Sequence, residues 1–230
     1  MKRRTFLQRS AALAPILAEL SRPAVSPAEE PPPLTLPKPQ KQGGKPLMQA
    51  LAERQTNRNI AEGKLPPQTL SNLLWAAFGV NRDASGLRTA PSAMAVREID
   101  IYVFLPEGVY VFDAVAHNLK PVLAGDQRAK TGNQAGVGKA PVSLVYVADL
   151  NKYAAGSGPM RVTDVAVQTA WSNAHAGFIG QNVYLYAASE GLACWFRALI
   201  DNAGIARLLN LRPGQKVLYS QGVGRPEKAA

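Results

Sequence analysis

The segment from Thr163 to Glu190 constrains the fold more than any other, because it is apolar on nearly every side. Valine, alanine, isoleucine, leucine and aromatic side chains recur through it without leaving a polar stripe. Gly191 follows directly, and a glycine commonly stands just after the last residue of a helix. A helix that is hydrophobic all round is buried, either at the centre of a domain or between subunits. The segment therefore predicts one long helix that the rest of the protein, or a second subunit, covers.

Shorter patterns predict the elements around this helix. Apolar residues at spacings of three and four indicate helices, and β-branched and aromatic runs between turn signals indicate strands. The predicted helices are Met48–Arg54, Pro67–Phe78 and Ile200–Leu209, and the predicted strands are Ile99–Leu105, Val109–Asp113, Val142–Ala148 and Lys216–Val223. The turn Pro106–Gly108 predicts a hairpin between the first two strands, and residues 118–139 predict a loop or short helices. Without a regular βαβ repeat or a Gly-x-Gly-x-x-Gly turn, the fold class is α+β.

Residues 1–28 predict an export signal. Lys2, Arg3 and Arg4 precede the apolar stretch Ala11–Leu20, and small residues follow up to Ala28. Paired arginines followed by Thr-Phe-Leu are typical of a twin-arginine signal, so we expect an exported, periplasmic protein. The alternative is an ordinary amphipathic helix or a weak anchor. About ten apolar residues are fewer than the roughly 20 that cross a bilayer, so no stable membrane span is expected.

Residues 29–45 contain five prolines and end in Gly43–Gly44. This density of proline prevents a regular element, so the segment predicts an extended linker or an arm lying over a surface. The folded domain is expected to comprise residues 46–230.

The numbers of cysteine and histidine residues limit the disulfides, metal sites and redox centres that the chain can form by itself. Cys194 is the single cysteine, so no intramolecular disulfide can form. His117 and His175 are the only histidines of the sequence, so a metal site built from protein side chains alone is not expected. Redox chemistry would therefore need an organic cofactor. Cys194 has apolar neighbours and is interpreted as a core residue rather than a nucleophile. His117 is interpreted as a loop residue and His175 as a packed helix residue.

The net charge of +10 does not indicate nucleic-acid binding. Residues 1–28 hold five of the 26 basic residues and one of the 16 acidic residues, so the remainder carries +6 without a basic run. Basic residues do not alternate with aromatic residues as a single-strand groove requires. An anionic cofactor or substrate accounts better for the excess.

Four segments carry polar groups suited to a ligand. Arg54–Arg58 combines two guanidiniums with the hydroxyl of Thr56, which suits a phosphate, although a solvated helix end would look the same. Arg88–Ala93 contains a Pro-Ser-Ala turn that could face a planar ring. Gly180–Leu192 and Gly222–Pro226 are the other two, and each by itself also has an ordinary structural explanation.

In this order, the segments resemble the nitroreductase-like family of FMN-dependent flavoproteins, over roughly Pro46 to Pro226. The matching pieces are the Arg-x-Thr-x-Arg segment, Leu73–Gly79, Arg88–Ala93, Tyr110–Asp113, Ala140–Val145, Gln181–Asn182, Gly191–Leu192 and the closing Val-Gly-Arg-Pro. The resemblance implies a three-layer α+β fold with an antiparallel-rich central sheet flanked by helices. It also implies an intertwined homodimer, with two FMN molecules at the subunit interface and the long helix in the dimer core.

The resemblance also implies the residues that bind FMN. The segment Arg54–Arg58 would hold the phosphate and ribityl chain, and the Pro-Ser-Ala turn would approach the isoalloxazine from the other subunit. The main chain around Gly191 would lie near the ring, and Arg225 would be a further phosphate partner. The implied cofactor-binding residues are Arg54, Gln55, Thr56, Arg58, Pro91, Ser92, Ala93, Glu190, Gly191, Leu192 and Arg225. The sequence departs from the family at Met94–Ala95, where many members have glycine or asparagine, so the substrate pocket is expected to differ. No catalytic side chain is implied, because the flavin carries the chemistry.

The implied activity is that of an enzyme. It would pass hydride from a reduced small-molecule donor such as NAD(P)H through FMN to an organic acceptor such as a nitroaromatic or a quinone. One alternative is an exported flavin-binding protein without nicotinamide-dependent turnover. Another is an interaction protein whose Pro-rich arm is the working part.

Overall fold

The computed structural model describes residues 31–155 and 162–227, and the predicted export signal lies outside them. The helices are α1 (Leu47–Glu53), α2 (Pro67–Phe78), α3 (Val165–Ser189) and α4 (Asn202–Leu208). The strands are β1 (Leu34–Thr35), β2 (Val80–Arg82), β3 (Leu87–Arg88), β4 (Ile99–Leu105), β5 (Gly108–Asp113), β6 (Asn118–Ala124), β7 (Val142–Asp149), β8 (Ala193–Arg197) and β9 (Gln215–Gly224). All the predicted helices and strands are confirmed, with ends within about two residues.

Seven strands form one antiparallel sheet in the order β1-β6-β5-β4-β7-β9-β8. The predicted hairpin joins β4 and β5, with Leu105 opposite Gly108. β4 also pairs with β7, and β7 pairs with β9, so these strands occupy the middle of the sheet. β2 and β3 form a separate two-stranded ribbon.

The sheet is the middle layer of three. Alternate residues of β7 face opposite sides, because side chains along a strand point to alternating faces. Leu144 and Tyr146 pack with α2 and α3, while Val145 and Val147 pack with Ile205 of α4. All eight residues of β7 are consequently buried. The predicted three-layer α+β fold is confirmed.

Helix α3 is covered on one side within the described chain. Its buried residues recur at helical spacing and include His175, Ile179 and Val183. On the other side, Ala170 and Ala174 are exposed, and Phe178 is 46% exposed. Burial all round is therefore not reached within one chain, and the second subunit stays a prediction.

Five of the strands, β1, β2, β3, β6 and β8, were not predicted from the sequence. Asn118–Ala124 forms β6 where a loop or short helices were predicted, and only short 3₁₀ helices follow it, at Arg128–Thr131 and Val137–Lys139. Pro121 concealed this strand, because proline lacks the N–H that a central strand needs. The proline is tolerated since β1 pairs only with Asn118 and Leu119, which leaves the outer edge of β6 unpaired at residue 121.

The Pro-rich segment is an arm lying over the surface, one of its two predicted states. Leu34 and Thr35 pair with β6, so the segment contains a short regular element that its proline content did not predict. Beyond this pairing, Leu36 is buried, and the Ser71 hydroxyl of α2 donates to the Pro37 carbonyl at 2.5 Å. The arm thus covers both the edge of the sheet and α2.

Within residues 31–155 and 162–227, no helix combines the length and the hydrophobicity that crossing a bilayer requires.

The contact between α3 and β8 gives a test of this packing. A Cβ added at Gly180 would lie 2.6 Å from Cε2 of Phe196, which is too close for a ring packed among other aromatics. We expect Gly180→Ala to lower the free energy of unfolding by about 1–3 kcal/mol, as overpacking does. Urea unfolding would measure the change.

The double variant with Phe196→Ala is the matched control. With the ring removed, Gly180→Ala is expected to become neutral or to stabilise by up to about 1 kcal/mol, because alanine is the better helix former. Equal destabilisation in both backgrounds would contradict the proposed contact.

Candidate functional site

The predicted phosphate-binding segment opens onto a cavity of about 530 Å³. The cavity lies where the end of α1, the C-terminal part of α3 and the turn after α3 meet. Arg54, Gln55, Gly191 and Leu192 all line it. A volume of this size accommodates a small organic ligand. Two segments that are far apart in sequence, both implied to bind the cofactor, are thus brought together.

Main-chain hydrogen bonds position the segment that follows α1. The Asn57 N–H donates to the carbonyl of Cys194 at 3.0 Å, and the Ala61 N–H donates to the carbonyl of Arg225 at 2.9 Å. Cys194 belongs to β8, and Arg225 directly follows β9. The segment is therefore attached to the last two strands of the sheet, and residues 54–58 are held beside the end of α3.

The two arginines of this segment lie against aromatic rings. The Arg54 guanidinium carbon is 5.5 Å from the ring centre of Tyr184, and that of Arg58 is 5.4 Å from the ring centre of Trp195. Within the described part of the chain, neither arginine has a carboxylate at salt-bridge distance. The rings support the cations without using their N–H groups, so these groups are available to an anion.

Tyr184 was missed by the sequence analysis, although it organises this site. Its hydroxyl accepts from the main-chain N–H of Phe196 at 2.9 Å and lies 2.9 Å from Oγ1 of Thr56. If the tyrosine proton is directed to Thr56, the threonine proton is left for a ligand. A tyrosine within an apolar helical segment carried no signal of this role.

Glu190 and Arg225 lie beside the cavity. Glu190 lines a neighbouring cavity of about 380 Å³ together with residues 40–44 of the arm. Arg225 is exposed, and the residue after it, Pro226, lines the first cavity. Gly191 adopts a φ of +66°, as a glycine after a helix often does.

The Pro-Ser-Ala turn lies elsewhere in the same chain. Pro91 and Ser92 line a separate cavity of about 200 Å³ together with Arg82, Arg88 and Arg97. Within one subunit, the turn and the phosphate-binding segment therefore do not share a cavity. Its implied contact with the cofactor of a second subunit stays a prediction.

Sequence comparison decides the family. The profile of the nitroreductase family matches residues 51–225, a range that contains every implied cofactor-binding residue. The chain belongs to the nitroreductase family. It is therefore assigned as an oxidoreductase, and members of this family typically use a flavin.

Individual relatives agree with this assignment. A protein of Methanocaldococcus jannaschii named as a nitroreductase is 31% identical over 158 residues, which are 64% of this chain and 75% of the relative. A nitroreductase-family crystal structure from Ralstonia eutropha is 37% identical with a TM-score of 0.79, covering 96% of this chain and 99% of that one. The NADPH:FMN oxidoreductase of Vibrio harveyi shares the fold, with 19% identity and a TM-score of 0.57 over 79% of this chain and 69% of that one.

A buried hydrogen-bonded pair holds the Pro-Ser-Ala turn of this nitroreductase-family chain. Oε1 of Glu98 lies 2.6 Å from Nδ1 of His175, and both side chains are almost fully buried. The Ala93 N–H donates to Nε2 of His175 at 3.0 Å. Because Nε2 accepts this bond, the imidazole proton is on Nδ1 and is donated to Glu98. Ser92 also donates to Glu98, at 3.4 Å.

The turn held in this way is strained. Met94, Ala95 and Arg97 have φ values of 52°, 53° and 53°, in the left-handed region that residues other than glycine seldom adopt. Such conformations persist only where surrounding contacts enforce them. The bonds from Glu98 and His175 are those contacts. His175 is confirmed as a packed helix residue, and Glu98 gave no sequence signal because it lies 77 residues from its partner.

The remaining singled-out residues are structural. Cys194 is buried, and burial raises the pKa of its thiol to about 12, so the core interpretation is confirmed. His117 lies in the turn between β5 and β6, as predicted, with Nε2 2.7 Å from the Ser71 hydroxyl. Among the residues that the structure describes, no three His, Cys, Asp or Glu side chains are grouped so that they could hold a metal ion.

The Glu98–His175 pair predicts a pH dependence of stability. Burial opposes ionisation of Glu98, but its interaction with His175, above all the hydrogen bond between the two side chains, outweighs this effect, so the pKa of Glu98 lies below the ordinary value of 4.5. The ionised carboxylate therefore stabilises the fold above about pH 4.5, and this contribution is lost as the pH falls through the folded-state pKa. We expect Glu98→Gln to lower the free energy of unfolding at pH 7 by about 1–3 kcal/mol.

Urea unfolding at pH 7 and pH 4 checks this expectation. Glu98→Gln should lose less stability than the unaltered protein between the two pH values. The exposed Glu62 provides the matched control, since Glu62→Gln should leave both values unchanged. An unchanged pH dependence in Glu98→Gln would contradict the role of the pair.

Proposed function

We propose that this protein is an FMN-dependent oxidoreductase that passes hydride from a reduced donor, NAD(P)H being the first candidate, to an organic acceptor such as a nitroaromatic or a quinone. The observation that carries the proposal is the 530 Å³ cavity lined by Arg54, which like Arg58 in the same segment has no carboxylate partner among the described residues. Such cations suit the phosphate of FMN. The Vibrio harveyi neighbour, which is named for NADPH and FMN and was solved with NAD+, supports nicotinamides as the first donors to test.

The residues of the cavity fit FMN in charge and in shape. Lys45 at its edge is already paired with Glu53 at 2.5 Å, so Arg54 is the lining cation that remains for a phosphate. Gly191 lines the cavity, and no atom lies within 4 Å of the position that a Cβ would take there. A flat ring could therefore approach the main chain at this point.

At this site FMN and the protein side chains would have different roles. When bound, FMN supplies the hydride chemistry, which needs no acidic or basic side chain from the protein. Arg54 and Arg58 neutralise the phosphate, and Thr56 donates to it while Tyr184 fixes the threonine hydroxyl. The wall at Gly191 and Leu192 excludes water from one side of the site. The protein's contribution is therefore binding and orientation.

A second copy of the chain completes the proposed site. The uncovered apolar side of α3, with Ala170, Ala174 and Phe178 exposed, supports a homodimer built on this helix. The partner's Pro-Ser-Ala turn would then approach the ring, held in place by the pair of Glu98 and His175 within that partner. In the dimer, the burial that the apolar sequence of α3 predicts would be reached.

Loss of one phosphate partner gives the direct test. We expect Arg54→Ala to weaken FMN binding by about 10- to 100-fold, the amount that a hydrogen bond to a charged group contributes. Fluorescence titration of the flavin-free protein with FMN would measure the affinity. The exposed Arg207 of α4 provides the control, because Arg207→Ala removes the same charge away from the cavity. Equal affinity in all three proteins would overturn the assigned phosphate site.

Turnover is tested separately. The FMN-loaded protein is expected to oxidise NADH or NADPH in the presence of a nitroaromatic or a quinone, as followed by nicotinamide absorbance. Tight FMN binding without turnover with either donor would instead support the flavin-binding alternative.

A further inference from the structure

A second sizeable cavity lies away from the proposed FMN site. It is a groove of about 630 Å³ between β4, β5 and the segment Leu209–Gln215 after α4. Its walls include the apolar side chains of Phe78, Ile101 and Phe112. Its cationic side chains are Arg88, Arg97, Lys120, Lys152 and Arg212, and its carboxylates are Asp100 and Asp113. The proposed function makes no use of this groove.

Three of the five cations already have partners. Lys120 lies 2.7 Å from Asp113, and Lys152 lies 2.6 Å from Asp100. Arg212 is paired at 2.9 Å with Asp149, a carboxylate outside the lining of the groove. Both carboxylates of the lining are therefore paired with lysines, and two arginines remain.

Arg88 and Arg97 are fixed by main-chain carbonyls. Arg97 donates from Nε to Ala95 and from Nη1 to Gly86, each at 3.0 Å. Arg88 donates from Nη1 to Phe78 at 3.3 Å, and its guanidinium lies 4.8 Å from the ring centre of Phe78. No carboxylate of the described residues is at salt-bridge distance from either arginine. The two guanidiniums are thus held in place without a counter-ion.

The charge environment of Arg88 favours the binding of an anion. Burial lowers the pKa of Arg88, and the nearby positive charge of Arg97 lowers it further, against an opposite effect of Asp100 and Asp113. Nε of Arg88 is buried without a hydrogen-bond partner. Keeping two like charges close together and leaving a buried donor unused both cost free energy. An anion beside the two guanidiniums would offset the repulsion between them.

We infer that Arg88 and Arg97 form a binding site for the oxyanion of a small molecule with an aromatic or apolar body. The guanidiniums bind the carboxylate or phosphate, since planar paired donors match these groups. The apolar walls receive the body of the molecule. Both arginines also line the small cavity of Pro91 and Ser92, so an occupied groove adjoins the Pro-Ser-Ala turn.

Calorimetric titration of the full chain tests the site. The probes are benzoate, phenyl phosphate and the neutral benzamide, each added to protein saturated with FMN so that the other anion site is occupied. We expect benzoate or phenyl phosphate to bind at least about tenfold more tightly than benzamide, the factor that one charge-assisted hydrogen bond supplies. Whichever anion binds more tightly identifies the natural head group as carboxylate or phosphate. Equal binding of all three probes would overturn the proposal.

Variants locate the binding. Arg97→Gln and Arg88→Gln are each expected to reduce affinity for the anion by about tenfold or more. Arg207→Gln is the control, because this exposed arginine of α4 lies outside the groove, and the affinity should change by less than about twofold. Full affinity in both arginine variants would place the anion elsewhere and overturn the assignment.

A measurement on the unaltered protein covers the case of an arginine variant that does not fold. Addition of benzoate should shift the Nε resonances of Arg88 and Arg97 in a ¹⁵N NMR spectrum and leave that of Arg207 in place. Unshifted Arg88 and Arg97 signals at saturating benzoate would contradict the site. The titration can also be run without FMN, so this outcome is independent of whether the protein binds flavin.

Discussion

The antiparallel ladder β4-β7-β9-β8 is the part of the molecule on which the rest depends. Its central strand β7 is buried on both faces, so helices must cover the sheet from two sides. The same ladder carries the site, because the segment after α1 hydrogen-bonds to residues at the ends of β8 and β9. A change that displaced these strand ends would therefore move Arg54 and Arg58 together, without touching either side chain.

Sequence patterns predicted the elements whose own residues determine them. The apolar periodicity of α2 and the β-branched runs of β4 and β7 are local signals, and they were sufficient. The prediction of a loop at Asn118–Ala124 was wrong. A strand tolerates proline only at an unpaired edge, and whether this edge of β6 is paired depends on how far the neighbouring strand β1 extends along it. β8 was missed because it begins only a few residues after α3 and is recognisable mainly by its pairing with β9.

Some residues of the candidate site could likewise be predicted from the sequence, and others could not. Arg54–Arg58 could be singled out because phosphate-binding side chains are close together in sequence, and the family resemblance joined it to Gly191. Tyr184 and Glu98 could not be found, since their partners are distant in the chain and each residue type is common in structural roles. Buried polar groups must find partners wherever the fold provides them. Such partners are visible only in three dimensions.

The Pro-rich arm has a consequence for how the protein behaves among copies of itself. β6 would be the last strand on its side of the sheet, and an open strand edge is a template for aggregation. The arm closes part of that edge through Leu34 and Thr35, while Pro31 is buried next to Gly108 of β5. Proteolysis or truncation within the arm would therefore promote aggregation before it changed the structure of the rest of the domain. A recombinant form intended to stay monodisperse has to retain the arm from residue 31 onward.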